Sequence, residues 1–444
     1  MKKLTIGLVL LTLVLATGCS AIAPTSDNNP AQDEGTEAVT PSEPGMQMSN
    51  LQREMAPAVT EAQIQTLARD NTAFALDFYN QLRTGEGNII YSPFSISLAL
   101  AMTMAGAEGS TQAAMQEALR LSLPLDTLYP SFDALLLAIE SSEQLSNENA
   151  EGDPFTLNIA NSIWGQAGYP FKEPFLNTLA QYFGAGMYTV DYQQAPEAAR
   201  EAINGWVEEE TNDKIKDLIP EGAIDTLTRL VLANAIYFKG SWYTAFNESA
   251  TAAAPFNLLD GSQVDAQMMS LTGEHLMYGT GNGYQVVQLP YMSTDFVMTL
   301  IVPDQGEFEA IESALTAEAY AEMTDNLAYK LVDVQMPKFD FESSVNANDI
   351  LMALGMGEAF DGSAADFSGM TDEDRLVISD VLHKATITVD ENGTEAAAAT
   401  AVIMKLTAAM PEDAIQLVMD RPFLFTIEHQ PTGSILFMGR VVEP

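Results

Sequence analysis

The stretch HKATITVDENGTEAAAATAVIMKL, residues 383–406, constrains the fold of this chain more than any other. It begins as strict alternation. His383, Ala385, Ile387 and Val389 fall on one side, and Lys384, Thr386, Thr388 and Asp390 on the other, the pattern of a strand with one buried face. Asn392 and Gly393 supply turn chemistry, and four consecutive alanines follow before the chain becomes steadily more apolar. Counted by twos from Thr394, one parity is Thr394, Ala396, Ala398, Thr400, Val402 and Met404, wholly uncharged. The other carries both charges, Glu395 and Lys405. The segment can therefore lie as a strand with its uncharged side buried. A short helix capped by Thr394 is an equal competitor, because EAAAAT has high helix propensity. Too small for a core and too apolar for a surface, the stretch is suited to two different places.

The chain around it has 444 residues, a length compatible with roughly three domains and ample for a large core. Its 47% hydrophobic content makes it globular. Nineteen basic against 61 acidic residues give a net charge of −42, which repels a phosphate backbone and excludes nucleic acid as a partner. Lys2 and Lys3 precede the apolar run LTIGLVLLTLVLA, so residues 1–18 read as a signal peptide. Cys19 is the one cysteine in the chain, which excludes an intrachain disulfide and a thiolate metal cluster. LATGCS is similar to the lipobox of bacterial lipoproteins, with Ala16 standing where leucine is most usual. Cys19 is the expected lipidation site, placing the protein outside the cytoplasm on a membrane anchor or secreted. Residues 19–60 are rich in Pro, Asp, Glu, Ser and Thr and read as a disordered acidic linker. Residues 61–444 read as one continuous folded domain.

Within that domain helices come first and strands later. TEAQIQTLARDNTAFALDFYNQL carries Ile64, Leu67, Phe74, Leu76, Phe78 and Leu82 at helical spacing. SPFSISLALAMTMAGAEG starts on Ser-Pro and is closed by Gly106 and Gly109, and Ser110 or Thr111 is expected to cap the next helix. FVMTLIVP, KLVDVQMPKFDF, KATITVD, PFLFTIEH and SILFMGRVV read as strands. The class is α+β.

Catalytic signatures are missing. The sequence contains no G-x-S-x-G and no H-E-x-x-H, and only His275, His383 and His429 among histidines. GTGNG, 279–283, lacks the strand-then-helix frame of a phosphate loop and reads as a turn. Asp390, Asn392 and Gly393 have neither the spacing nor the bidentate glutamate of a calcium loop. The expectation is a protein without enzymatic activity, metal or cofactor.

From about residue 65 onward the chain resembles the serpins. GNIIYSPFSISLALAMTMAGAEGST, LNIANSIWGQ, INGWVEEETNDKIKDLIP, TRLVLANAIYFKGSW, QLPYMSTDFVMTLIVP, ISDVLHKATITVDENGTEAAAAT and DRPFLFTIEHQPTGSILFMGRVVEP are similar to family blocks and occur in family order. The resemblance implies the serpin fold, helices around a large central mixed sheet with two smaller sheets, and an exposed reactive-centre loop near the C-terminus. It also implies suicide inhibition of a serine protease, in which the cleaved loop inserts as a central strand and traps a covalent acyl-enzyme.

Several residues take their expected roles from this resemblance alone. Glu391, Gly393, Thr394, Glu395, Ala396, Ala397, Ala398, Ala399 and Thr400 match the hinge of inhibitory members, whose small residues permit insertion. The family spacing places the reactive bond at Thr407–Ala408, favouring elastase-like or subtilisin-like targets, with Leu406 and Lys405 as alternatives for P1. Ser92, Ser95, Asn234 and His383 match the shutter beneath the main sheet, and Trp242 matches the breach at its top. Asn212 and Lys214 carry no separate functional signal. The expected partners are the protease and, through Cys19, a membrane, with the protein a monomer. The alternative is a non-inhibitory serpin with a binding or structural role.

Overall fold

A helix with every one of its twelve residues buried, Pro93–Met104, shows how this sequence builds its centre. A helix apolar on all sides has no solvent face and must be covered all round. The computed structural model describes residues 44–149, 155–373, 375–395 and 413–444. In chain order the elements are β1 (Gly45–Gln47), α1 (Glu61–Leu82), β2 (Ile89–Tyr91), α2 (Pro93–Met104), α3 (Gly109–Ala118), α4 (Leu125–Asn149), β3 (Thr156–Gln166), α5 (Glu173–Phe183), β4 (Met187–Val190), α6 (Pro196–Glu210) and β5 (Leu230–Ser241). There follow β6 (Ala252–Asn257), β7 (Gln263–Gly281), β8 (Tyr284–Pro290), β9 (Phe296–Pro303), α7 (Phe308–Ser313), α8 (Ala317–Thr324), β10 (Ala328–Pro337), β11 (Phe339–Asn346) and α9 (Asn348–Leu351). The last strands are β12 (Asp380–Val389), β13 (Gly393–Thr394), β14 (Ile415–Val418), β15 (Phe423–His429) and β16 (Ser434–Val441).

Among the described residues the strands form two sheets. The first has the order β1-β4-β3-β5-β13-β12-β11 and is mixed, with β5 and β12 parallel and β3 antiparallel to β5. The second runs β14-β10-β7-β8-β9-β15-β16-β2, with β6 attached to β7. The two smaller sheets of the expectation are continuous here. The 19-residue β7 pairs with β6, β10 and β8 along its length and so belongs to both.

Alternation along β5 divides the first sheet's two faces. Leu232, Ile236 and Phe238 join the main core with α2, whereas Val231, Ala233 and Ala235 pack with Trp164 and with Ile203 and Val207 of α6. The sheet is therefore covered on both sides at its middle. The GTGNG stretch is the tight β7–β8 hairpin, closed by the Gly281–Tyr284 pair.

Two local expectations are corrected. The linker expected over 19–60 gives way at least from Pro44 to chain packed on the domain. β1 adds antiparallel to the short edge strand β4, Gln47 Nε2 donates to Tyr169 O at 2.9 Å, and Arg53 donates to the buried Asp133 at 2.7 Å. Low hydrophobicity misled here because the segment is held by a sheet edge and an ion pair rather than by apolar burial. Burial raises the Asp133 carboxyl to about 6 even against the pull of Arg53. Second, neither Ser110 nor Thr111 caps α3. The helix starts at Gly109 after Glu108, and both hydroxyls donate to Glu358 instead, at 2.6 and 2.9 Å.

Candidate functional site

The seam between β5 and β12 is closed at one end and wedged open at the other. From Asp380↔Val231 to Ala385↔Ile236 the two strands pair directly. Farther along, β13 stands between them, with Gly393 opposite Ser241, Thr394 opposite Gly240, and Thr394 opposite Val389. The first two residues after the Asn392 turn are thus already a strand of the sheet, antiparallel to both neighbours. The turn is pinned by Asp390, whose carboxylate accepts from Asn392 N at 2.7 Å and whose N–H donates to Gly393 O at 3.0 Å. Gly393 is required by close approach: a Cβ there would collide with the Gly240 carbonyl oxygen.

Thr394 has its side chain in the core, 1% exposed, and its hydroxyl is 2.8 Å from that of Tyr291. Tyr291 is fully buried, and burial holds its phenol far above the usual range. Its ring stacks on Trp242 at 4.7 Å and meets Phe238 edge-on at 4.9 Å. Trp242 in turn grips the turn twice, donating from N to Asn392 O at 2.8 Å and from Nε1 to Asp390 O at 3.0 Å. One residue later the chain turns away, Glu395 having φ +49°, a region where side-chain-bearing residues are uncommon.

Both hinge carboxylates have cationic partners. Glu391 is buried, accepts from Thr251 Oγ1 at 2.6 Å and pairs with Lys338 Nζ at 2.5 Å. Burial alone would raise its carboxyl, but the Lys338 ammonium and the Thr251 hydroxyl outweigh burial and hold it below the usual value. Glu395 lies on the opposite face from Thr394 and pairs with Lys214 Nζ at 2.8 Å. That ammonium sits 5.7 Å from the centre of the Tyr237 ring. Burial and then the Glu395 carboxylate push the Tyr237 phenol upward.

The closed end of the seam carries a neutral network. Ser92, the N-cap of α2, donates from its backbone N–H to His383 Nε2 at 3.0 Å and from Oγ to Leu436 O at 2.6 Å. A backbone N–H can only donate, so Nε2 is the acceptor and the ring proton resides on Nδ1, which donates to Asn234 Oδ1. Asn234 Nδ2 donates to Ser95 Oγ at 2.7 Å and to Asn161 Oδ1, and Asn161 Nδ2 returns to Ser95 O at 3.1 Å. Burial pushes His383 down to about 3, so the imidazole is neutral at physiological pH. His383 and Asn234 are register partners across the seam, so this bond joins the two strands.

Ser92, Ser95, Asn234 and His383 therefore meet in one cluster, and Trp242, Glu391, Gly393, Thr394 and Glu395 in another. Ala396–Thr400, Thr407, Ala408, Leu406, Lys405 and Cys19 lie outside the described residues. Sequence reasoning missed Asn161, Tyr291, Lys338, Thr251, Lys214 and Tyr237. Asn161 left a weak signal, one of three polar residues, with Asn158 and Ser162, in the strand-like run LNIANSIW. The lysines left none, because a lone lysine carries no local mark of a partner more than fifty residues away in the chain. Among the described residues no group of three or more His, Cys, Asp or Glu is placed to hold a metal ion.

Comparison with known proteins accounts for nearly the whole chain. The family model Serpin (serine protease inhibitor) matches residues 69–444. An uncharacterized serpin-like protein of Thermococcus kodakarensis is 37% identical over 443 residues, 99% of each chain. The leukocyte elastase inhibitor of Sus scrofa is 40% identical over 394 residues, covering 86% of this chain and all of that protein. The native structure of tengpin, a thermophilic serpin, superposes with a TM-score of 0.78 at 27% identity, over 91% of this chain and all of tengpin. Uncleaved ovalbumin gives 0.75 at 27% identity, over 85% of this chain and all of ovalbumin.

Proposed function

This chain belongs to the serpin family, whose members are in general protease inhibitors rather than catalysts, and we propose that it traps serine proteases by loop insertion. The observation that supports this reading is the β13 wedge: a hinge in which Gly393 and Thr394 already occupy the β5–β12 seam, with Thr394 facing inward.

The protease nucleophile attacks the Thr407 carbonyl carbon, the Thr407–Ala408 peptide bond breaks, and the new amine of Ala408 takes up a proton and leaves. Thr407 remains esterified to the enzyme. Release of the loop's far end lets the strand begun by Gly393 and Thr394 extend along the seam. Continued alternation sends Ala396, Ala398 and Thr400 to the core side, where only small or uncharged groups fit. Each step replaces a direct β5–β12 pair by two new ladders, and the His383–Asn234 bond must part. Inhibition succeeds when this insertion outruns hydrolysis of the ester. The Thr407 carbonyl favours elastase-like and subtilisin-like targets. The protein acts outside the cytoplasm as a monomer tethered by a lipid on Cys19.

The test is incubation with elastase-like, subtilisin-like, chymotrypsin-like and trypsin-like proteases followed by denaturing gels. A band at the summed mass that survives SDS, with mass spectrometry of the released peptide placing P1 at Thr407, is the expected result. Cleavage without such a band across the panel would assign the chain to the substrate-like, non-inhibitory serpins. Recovery of Cys19→Ala in the membrane fraction at the wild-type level would remove the lipid tether.

A further inference from the structure

A cavity of about 320 Å³ opens beside the seam, and Trp242 is one of its walls. That volume suits a small molecule rather than a side chain or a single water. The cavity is lined by apolar groups, among them Leu271, Leu289 and Val297, and by four aromatic residues, Trp242, Tyr243, Phe246 and Tyr329. Two of the aromatics are open to solvent, Tyr329 at 73% and Tyr243 at 47% exposure. Of the described residues that line it none is Lys or Arg. Aromatic faces attract cations through their quadrupole and gather quaternary and alkyl ammonium groups. The chain's −42 charge raises the local concentration of cations and lowers that of anions.

We propose that this cavity is a binding site for a small organic ammonium ion with an apolar body. The body fills the leucine and valine walls while the ammonium lies among the four rings. Trp242 belongs at once to this cavity and to the hinge, where it donates to Asn392 O and Asp390 O. A ligand packed on Trp242 in this position favours the hinge as it stands, so occupancy and insertion are thermodynamically linked. This second part rests on the proposed insertion mechanism; the binding itself does not.

Isothermal titration of the full chain with benzyltrimethylammonium, benzyl alcohol and phenylacetate tests the site. Saturable binding of the ammonium is expected, about tenfold weaker binding of the alcohol, and none of phenylacetate. Tyr329→Ala, at an exposed ring, weakens the ammonium severalfold, and Thr294→Trp, at an exposed lining position, blocks it. Equal binding of the three probes, or binding untouched by both substitutions, overturns the site. In the protease assay a saturating ammonium raises the number of inhibitor molecules consumed per protease trapped, and an unchanged ratio overturns the linkage. A chain that traps nothing even without the ammonium fails the inhibitory reading instead, a separate outcome.

Discussion

The two ends of one seam are held by opposite kinds of chemistry. At the closed end, β5 and β12 touch directly and the cluster of Ser92, Ser95, Asn161, Asn234 and His383 is neutral, hydrogen-bonded throughout and, apart from the half-buried Asn161, buried. At the wedged end the strands are parted by Gly393 and Thr394, and the contacts are ionic and aromatic: Lys338 on Glu391, Lys214 on Glu395, Trp242 on Tyr291. Neutral buried networks are costly to break piecemeal, because each lost partner strands another polar group. Ion pairs with one half-exposed member can be given up to water. For the proposed insertion, the difference orders the opening of the seam, which starts where release to solvent is cheap and ends where it is not.

The sharpest way to break this comparison is Thr394→Arg. It sets a cation against the buried Tyr291 hydroxyl, where burial without a counter-charge costs several kcal/mol. We expect loss of the SDS-stable complex while loop cleavage continues; full trapping by the variant would show that the wedge has no part in insertion. At the other end, His383→Ala leaves the Ser92 N–H and Asn234 Oδ1 without their partner. Two buried groups unsatisfied cost about 2–6 kcal/mol, read as a fall in the unfolding midpoint of the uncleaved protein.

The same histidine gives the closed end a pH signature. Its folded value of about 3 lies below the unfolded 6.5, so between these the unfolded chain binds the extra proton. Stability from this site is complete above pH 6.5 and is lost as pH falls toward 3, by about 1.4 kcal/mol per unit. Asp133, raised to about 6, acts in the opposite sense between its usual range and that pH. Subtracting the pH profile of His383→Gln from that of the wild type isolates the histidine, and a flat difference would remove the neutral-network account.

At the wedged end the effects shrink. Lys338→Ala leaves a buried Glu391 with only Thr251 and should cost about 1–3 kcal/mol. With both partners present, the Glu391 carboxyl is held below its unfolded value, so this pair's contribution is present above the normal carboxylate range and fades as pH falls through it. Lys214 is the more exposed lysine, 48% against 39% for Lys338, over an equally buried carboxylate, and Lys214→Ala should cost no more than Lys338→Ala, with the difference reduced in high salt. A loss larger than that of Lys338→Ala would invert the order of the two clasps.

The closed end was the more legible half in sequence. Alternation over 383–389 identified the buried face of β12, and the uncharged parity that begins at Thr394 put that residue inward, where the structure has it. Family blocks located Ser92, Ser95 and Asn234. The clasps were illegible because Lys214–Glu395 and Lys338–Glu391 join residues far apart in the chain, and a lone lysine has no local signature of its partner. The segment from Pro44 to Thr60 failed for a different reason. Its polar composition describes its side chains, whereas much of what anchors it is backbone, the three-residue ladder of β1 on β4 and the Glu54 N–H on Gln181 O.

The three tryptophans of the chain are unequally placed. Trp164 and Trp206 lie together, 5.9 Å apart on the α6 side of the first sheet, while Trp242 stands by itself against the hinge. The molecule thus carries an optical reporter for the proposed insertion. Any emission change that survives Trp164→Phe and Trp206→Phe has a single source, and its time course follows the seam without a label.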